Sequence, residues 1–319
     1  MYQIKQNPED FIVEEIPKDL TLNGGTYAYF ILEKKNWNTR DALRAIANKL
    51  RVNEKYFNIA GVKDKKALTK QYVSANKVSI ESLQNLKIKD LKITPLGYGK
   101  ERLKLGQLLG NKFVIRVRKA DEEPRKIKFI ENYYDDQRFG GKNKIIGEAL
   151  VKKEFRKACF SLRLRWEGKD YIGSLRKLSK NILRIYLNSY QSYLFNKAVE
   201  EYLRMKYKKY SLADYSQGTF VFSDEKIKNE KMPILGFLTE FENKEIEKIY
   251  MKLMKEDKIK KEDFIMKEMP EISSEGGERD MLAEVKYLEI TEEDKATYLV
   301  SFTLPPGSYA TIAIKKMFS

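Results

Sequence analysis

Alternation of apolar and polar residues at a period of two is concentrated at the two ends of this chain, and helical periodicity in its middle. Near the start, Phe11, Val13 and Glu15 alternate with Ile12 and Glu14, and a second strand, Tyr27-Ala-Tyr-Phe-Ile-Leu32, follows the turn at Gly24-Gly25. Asn38-Thr39 caps an expected helix over 41–50, apolar at Leu43, Ile46, Ala47 and Leu50. Residues 56–60 read as a short strand, 71–74 as its return partner, 113–118 as another strand and 125–133 as a helix. The middle predicts helices over 174–186, 189–206 and 243–255, then a loop at Gly276-Gly277. At the far end Tyr298, Val300, Phe302 and Leu304 alternate again before Pro305-Pro306-Gly307. Strand-rich ends around a helix-rich middle predict one α/β domain built from both termini and interrupted by an insertion.

With 319 residues the chain can bury a sizeable core, and 42% hydrophobic against 34% charged residues is a globular balance. No window approaches the roughly 18 uninterrupted apolar residues of a membrane span. The opening MYQIKQNPEDF lacks the basic-then-apolar layout of a signal peptide, so a cytoplasmic protein is expected. There is one cysteine, Cys159, and no histidine. Those two counts remove Ser-His and Cys-His nucleophile pairs, histidine metal sites and a cysteine zinc cluster. Chemistry is left to carboxylates, lysine, tyrosine and backbone groups. A net charge of +16 favours a polyanionic partner, and 20 Tyr and 16 Phe among the cations suit unstacked RNA bases. A general lysine bias would give the same charge, so charge alone does not decide.

Two segments could carry chemistry. In Gly61-Val-Lys-Asp-Lys-Lys66 a short strand delivers one carboxylate, Asp64, into a loop where Lys63, Lys65 and Lys66 surround it. Nearby cations favour the ionised acid, although a K-D-K-K run is more often a solvated turn. The second, Glu131-Asn-Tyr-Tyr-Asp-Asp-Gln-Arg-Phe-Gly-Gly141, gathers amides, aromatic rings and an arginine, the parts that grip an everted base. It reads equally as a helix stopped by Gly140-Gly141 with Phe139 in the core. The glycines at 97, 99, 106 and 110 lack the dinucleotide fingerprint and precede a strand, so no nucleotide cofactor is expected.

Together, these and other segments resemble the TruD family of tRNA pseudouridine synthases. The motifs are Asn7-Pro-Glu-Asp-Phe-Ile-Val-Glu-Glu15, Ala60-Gly-Val-Lys-Asp-Lys-Lys-Ala-Leu-Thr-Lys-Gln71, Leu103-Lys-Leu-Gly106 with Gly110-Asn111 and Phe113, Asn132-Tyr-Tyr134 with Gln137-Arg-Phe-Gly140, the stretch 189–196, and Leu304-Pro-Pro-Gly-Ser-Tyr-Ala-Thr311. They span nearly the whole chain in one order. The resemblance implies isomerisation of uridine 13 of tRNA to pseudouridine without metal or cofactor, tRNA as partner, and no membrane or protein partner. It implies Asp64 as the catalytic carboxylate, Lys5 as its basic companion, Tyr134 as the ring against the target base and Asn132 beside it. Lys63, Gln137, Arg138, Phe11 and Ser308 are the further residues expected to meet substrate. The implied fold is a mixed α/β (α+β) pseudouridine synthase sheet flanked by helices, formed by 1–148 with 285–319, and an inserted family-specific domain at 149–284. Two departures stand out: bacterial members usually carry phenylalanine where this chain has Tyr134, and glycine where it has Asp135. A basic RNA-binding protein or tRNA chaperone without turnover is the alternative, and a nuclease or glycosidase built on Glu14, Glu15 and Asp135 a more distant one.

Overall fold

The computed structural model describes residues 2–319, which divide into two compact units. The first comprises the chain up to Lys128 together with Glu284–Ala310 and Phe318. Its elements in order are β1 (Phe11–Pro17), β2 (Tyr27–Lys35), α1 (Thr39–Leu50), β3 (Phe57–Ile59), β4 (Leu68–Asn76), α2 (Ile80–Gln84), β5 (Leu91–Gly99) and β6 (Leu108–Val117). Two returning strands, Lys286–Asp294 and Thr297–Leu304, complete an eight-stranded sheet in which β1 lies between β6 and β4, and β4 between β1 and β2. β1 and β4 run parallel while the other pairings are antiparallel, so the sheet is mixed.

The alternation in β1 sets which side chains are buried: Phe11, Val13 and Glu15 face inward, Ile12 and Glu14 less so. Phe30 and Leu32 of β2 and Val73 and Ala75 of β4 form a core with Ala42, Leu43, Ile46 and Ala47 of α1 and Leu83 of α2. The last turn of α1 is stopped by Arg51 in the left-handed conformation at φ 56°. Close approach explains one motif glycine: a Cβ on Gly110 would lie 2.6 Å from the Leu304 carbonyl oxygen. β1 and β3 share one edge of β4, β1 along Leu68–Lys70 and β3 along Val73–Ala75. The loop 60–67 therefore leaves the sheet halfway along that edge, and Asp64 sits on it.

The second unit comprises Phe129–Ala283, Thr311–Met317 and Ser319. It holds β7 (Phe129–Glu131), α3 (Asp136–Phe139), α4 (Asn143–Val151), α5 (Phe155–Ser161), α6 (Tyr171–Arg176) and α7 (Lys180–Lys206). The hairpin β8–β9 (Tyr210–Tyr215, Gly218–Ser223), β10 (Lys231–Ile234), α8 (Lys244–Asp257), β11 (Gly277–Asp280) and the closing helix α9 (Ala310–Met317) follow. α7 runs 27 residues through the unit, burying Leu183, Leu187, Leu194, Phe195, Ala198 and Val199. α4 comes so close that a Cβ on Gly147 would clash with the Tyr186 carbonyl oxygen. No helix among the described residues is long and apolar enough to cross a membrane.

Two local expectations are corrected. Residues 125–133 are not a helix: only Phe129–Glu131 is regular, and it is a strand. Burial of Ile130 and Glu131, the latter ion-paired inside the unit, outweighs the helical propensity of the lysines before them. The helices expected over 174–186 and 189–206 are one, and the break falls earlier, where the Ser179 side chain accepts from the Ile182 amide and caps α7. Asn188 and Ser189 suggest an interruption, but Ser189 is buried within the helix and tertiary packing carries α7 through them.

Candidate active site

Each unit builds one cluster from the motif residues, and each is described by itself. In the first, the N-terminal arm is pinned at both ends. Gln3 bridges Arg118 by backbone hydrogen bonds of 2.8 and 2.9 Å. Further on, Asp10 caps its own turn, accepting from the Asn7 amide at 2.9 Å and from Arg118 at 2.7 Å. Those cationic and amide donors hold the Asp10 carboxyl below its ordinary range against its burial. Between the pins Lys5 takes a left-handed backbone, φ 57°, which costs a non-glycine residue on the order of 1 kcal/mol. Its ammonium stands 4.0 Å from the centre of the Phe11 ring and donates to Asp64 Oδ2 at 2.6 Å. Both side chains stay partly open, at 24% and 22% exposure.

The Asp64 loop is tied from beneath by residues that touch its backbone. The Lys63 amide donates to Thr39 Oγ1 at 3.1 Å, Thr39 donates to Gln71 Oε1 at 3.0 Å, and Gln71 donates to the Gly61 carbonyl at 3.4 Å. Lys34, fully buried in β2, donates to the carbonyls of Asp64 and Trp37 at 2.7 Å each, and to that of Lys63 at 3.5 Å. Burial lowers its ammonium from the usual lysine range to about 8. The Lys63 ammonium turns inward onto Glu15, whose other oxygen accepts from the Tyr72 amide at 2.7 Å. Burial raises the Glu15 carboxyl, against the opposing pull of Lys63. With Lys63 directed inward, the cations the loop presents outward are Lys65 and Lys66. Phe11 is buried under Lys5 and packs edge-on against Phe113. Ser308 lies on the turn after Leu304, its amide reaching the Pro305 carbonyl at 3.4 Å.

In the second unit each residue from 131 to 135 is held by a different partner. Glu131, buried, pairs with Lys316 at 2.8 Å and accepts from the Ser223 amide. The Asn132 carbonyl and side-chain oxygens accept from Arg279 at 2.9 and 2.6 Å, and its side-chain NH2 donates to the Asp280 carbonyl at 3.1 Å. Tyr133 donates to the Val221 carbonyl at 3.1 Å. The Tyr134 backbone is clamped by one side chain: Asn196 accepts from its amide at 2.9 Å and donates to its carbonyl at 2.8 Å. Asp135 pairs with Lys315 at 2.9 Å.

The Tyr134 ring is 7% exposed and meets Phe195 edge-on with centroids 5.4 Å apart. Two guanidiniums stand over it, Arg279 at 4.4 Å and Arg138 at 5.0 Å. Arg138 is steadied by donating to Ser192 Oγ at 2.9 Å. Gln137 is exposed, and Phe139 is a core residue beside Tyr215.

This cluster accounts for the motif in α7. Gln191, Ser192, Phe195 and Asn196 lie at i, i+1, i+4 and i+5, one face of a helix. Gln191 donates to the Leu235 carbonyl and Ser274, Ser192 accepts from Arg138, Phe195 meets the Tyr134 ring, and Asn196 clamps its backbone. Sequence reasoning assigned no role to Asn196, Arg279 or Lys34. The spacing in α7 could have pointed to Asn196, whereas Arg279 and Lys34 carry no local signal.

Comparison with known proteins agrees in one direction. The family model described as tRNA pseudouridine synthase D (TruD) matches residues 2–164 and 160–317. The chain is 28% identical to tRNA pseudouridine synthase D of Aquifex aeolicus, over 99% of this chain and 98% of that one. It is 29% identical to the probable tRNA pseudouridine synthase D of Methanopyrus kandleri, over 92% and 86%. The crystal structure of a putative tRNA pseudouridine synthase D from Methanosarcina mazei superposes with a TM-score of 0.72 at 25% identity, covering 99% of this chain and 93% of that one.

Proposed function

This chain belongs to the tRNA pseudouridine synthase D family, and from that premise we propose that it converts uridine 13 of tRNA to pseudouridine with Asp64 as the catalytic carboxylate. It is an isomerase of the RNA pseudouridine synthase type. The observation that carries the finer assignment is the Lys5–Asp64 contact of 2.6 Å on a loop whose backbone is tied at Gly61, Lys63 and Asp64. An ammonium at that distance stabilises negative charge on the carboxylate. A carboxylate paired with that ammonium and partly open can attack C1′ of the ribose, or remove the 2′ proton to give a glycal. On either route the C1′–N1 bond breaks, the uracil turns, C5 bonds to C1′, and the proton lost from C5 is matched by one gained at N1; the carboxylate is displaced from C1′ on the first route and returns its proton to C2′ on the second. Atoms and electrons balance without an external reactant.

The target uridine is flipped out of its stack in this reading, at a cost of about a few kcal/mol, and the basic surface offsets it through phosphate contacts. Tyr134 supplies the ring for the everted base and Asn132 shapes its surroundings. The division into a synthase domain, 1–148 with 285–319, and an insertion, 149–284, belongs to the same proposal and differs from the compact units, which part between Lys128 and Phe129; a cytoplasmic location with the tRNA pool belongs to it too. Glu14, Glu15 and Asp135, the carboxylates a nuclease or glycosidase would need, are paired with Lys70, Lys63 and Lys315. The direct test is to incubate purified protein with unmodified tRNA transcript and map pseudouridine by nucleotide position. Product at position 13 supports the reading, and an RNA that is bound but unchanged would leave only a binding protein.

Two further results are expected. Activity survives exhaustive chelation with EDTA, because a chain without histidine and with one cysteine has few ligands to offer a transition metal; loss of turnover restored by metal add-back would refute this. Replacing Tyr134 by Phe keeps the π-face and leaves single-turnover rates within about a few-fold, whereas Ala loses a stacking contact of ~1–3 kcal/mol. A phenylalanine variant slower by about a hundredfold, with its fold and tRNA affinity intact, would instead make the hydroxyl a general base.

A further inference from the structure

Nearly half of the chain's net charge sits in a tenth of its length. Residues 151–180 hold ten Lys and Arg against three acids, +7 of the total +16. Arg156, Lys157, Arg163, Arg165, Lys169 and Lys177 of this stretch are exposed. The same segment turns aromatic rings outward. α5 buries Ala158 and Cys159 and leaves Phe160 73% exposed, which folding of this unit does not require. Phe160 borders a cleft of about 930 Å³ together with Phe155, Trp166, Tyr171 and Arg156.

The cleft is a built feature. Trp166 and Tyr171 meet edge-on with centroids 5.5 Å apart. Cys159 donates to the Tyr171 carbonyl at 3.3 Å, Ser174 donates to the Arg165 carbonyl at 3.0 Å, and Asp170 caps α6 through the Gly173 amide at 2.8 Å. Lys153, at the cleft wall, donates to the carbonyls of Asp263 and Ile265 at 2.6 and 2.8 Å, so it fixes α5 and leaves ligand binding to its neighbours.

We propose that this cleft takes an unstacked nucleotide of the RNA substrate, its base against Phe160 and Trp166 and its flanking phosphates against Arg156, Arg163 and Arg165. The proposal rests on the tRNA reading above and adds a contact outside the Asp64 and Tyr134 clusters. Its chemistry selects single-stranded RNA. A duplex offers phosphates but hides its base faces in the stack, and an acidic peptide would satisfy the guanidiniums while leaving the rings uncovered. Base faces and phosphates on one strand use both features.

Three variants test it: Phe160→Ala, the double variant Arg163→Glu/Arg165→Glu, and Leu238→Ala as a control at another exposed apolar side chain. The probes are fluorescent oligo(U), poly-glutamate and full-length unmodified tRNA, titrated across a salt series, with circular dichroism to confirm folding. Phe160→Ala is expected to weaken oligo(U) binding by about five- to a hundredfold with little change in salt slope. The arginine double variant is expected to lower the slope by about 1.4. Both are expected to raise KM for tRNA and leave kcat at saturation unchanged. Wild-type affinity for oligo(U) in both variants, a loss no larger than in Leu238→Ala, or tighter binding of poly-glutamate than oligo(U) would overturn the proposal. Pseudouridine formation by a wild-type protein whose variants bind RNA normally refutes the cleft alone. Oligo(U) binding lost in the variants of a protein that makes no pseudouridine refutes the functional reading alone.

Discussion

Asp64→Asn is expected to yield a folded protein that binds tRNA and forms no pseudouridine. The carboxamide fills nearly the same space, but it neither attacks C1′ nor accepts the 2′ proton, so both routes fail together. Removing a group that the chemistry turns on lowers turnover by on the order of a thousandfold or more. The fold has little reason to respond. The Lys5–Asp64 pair is partly open to water, where an ion pair contributes about 0–1 kcal/mol. The contacts that shape the loop run through the carbonyls of Gly61, Lys63 and Asp64 and the Lys63 amide, and asparagine keeps them all. The measurement is single-turnover release of tritium from C5-labelled uridine in tRNA, with affinity followed separately. Turnover within about tenfold of wild type, with contamination excluded, would remove Asp64 from the reaction.

Why some of this was legible in the sequence and some was not follows from how each contact is encoded. Strand and helix periodicity report burial directly, so the sheet residues of β1, β2 and Thr297–Leu304 and the apolar stripe of α1 could be read from the chain. A charged residue in a lysine-rich loop after a strand is a local pattern that reads more readily as a solvated turn, and the resemblance of the surrounding motif is what singles out Asp64. Partners chosen by tertiary contact leave no such trace. Ion pairing buries Glu131 and draws its neighbours into a strand, but Lys316 lies 185 positions away. Arg279 reaches Asn132 across 147 positions. Lys34 carries no mark in the sequence either, because its acceptors are backbone carbonyls and no side chain announces them.

Lys34 accordingly gives the second large effect expected here. Its ammonium is fully buried, and its nearest acceptors are the carbonyls of Asp64 and Trp37 at 2.7 Å. Replacing it with Met has two opposed consequences for stability. The carbonyls lose their donor, at about 1–3 kcal/mol for each buried acceptor left unsatisfied. The cost of burying a charge disappears as well, and it is of several kcal/mol. The two nearly cancel, so the melting temperature should move by no more than a few degrees. Activity has no such compensation: the backbone that carries Asp64 loses its tether, and kcat should fall at least about tenfold with KM for tRNA little changed. The pH dependence carries a second signature. The folded ammonium titrates at about 8, below its unfolded range near 10.4, so the folded state sheds a proton first as pH rises. Stability therefore increases with pH between those values, since the unfolded chain binds the extra proton there. The neutral amine, however, has one donor fewer for the three carbonyls it faces. Wild-type kcat is then expected to decline as pH passes through about 8 while the protein remains folded, and the Met variant to lack that limb. A Met variant with full kcat, or the same alkaline limb in both proteins, would show that Lys34 supports the fold without setting the position of Asp64.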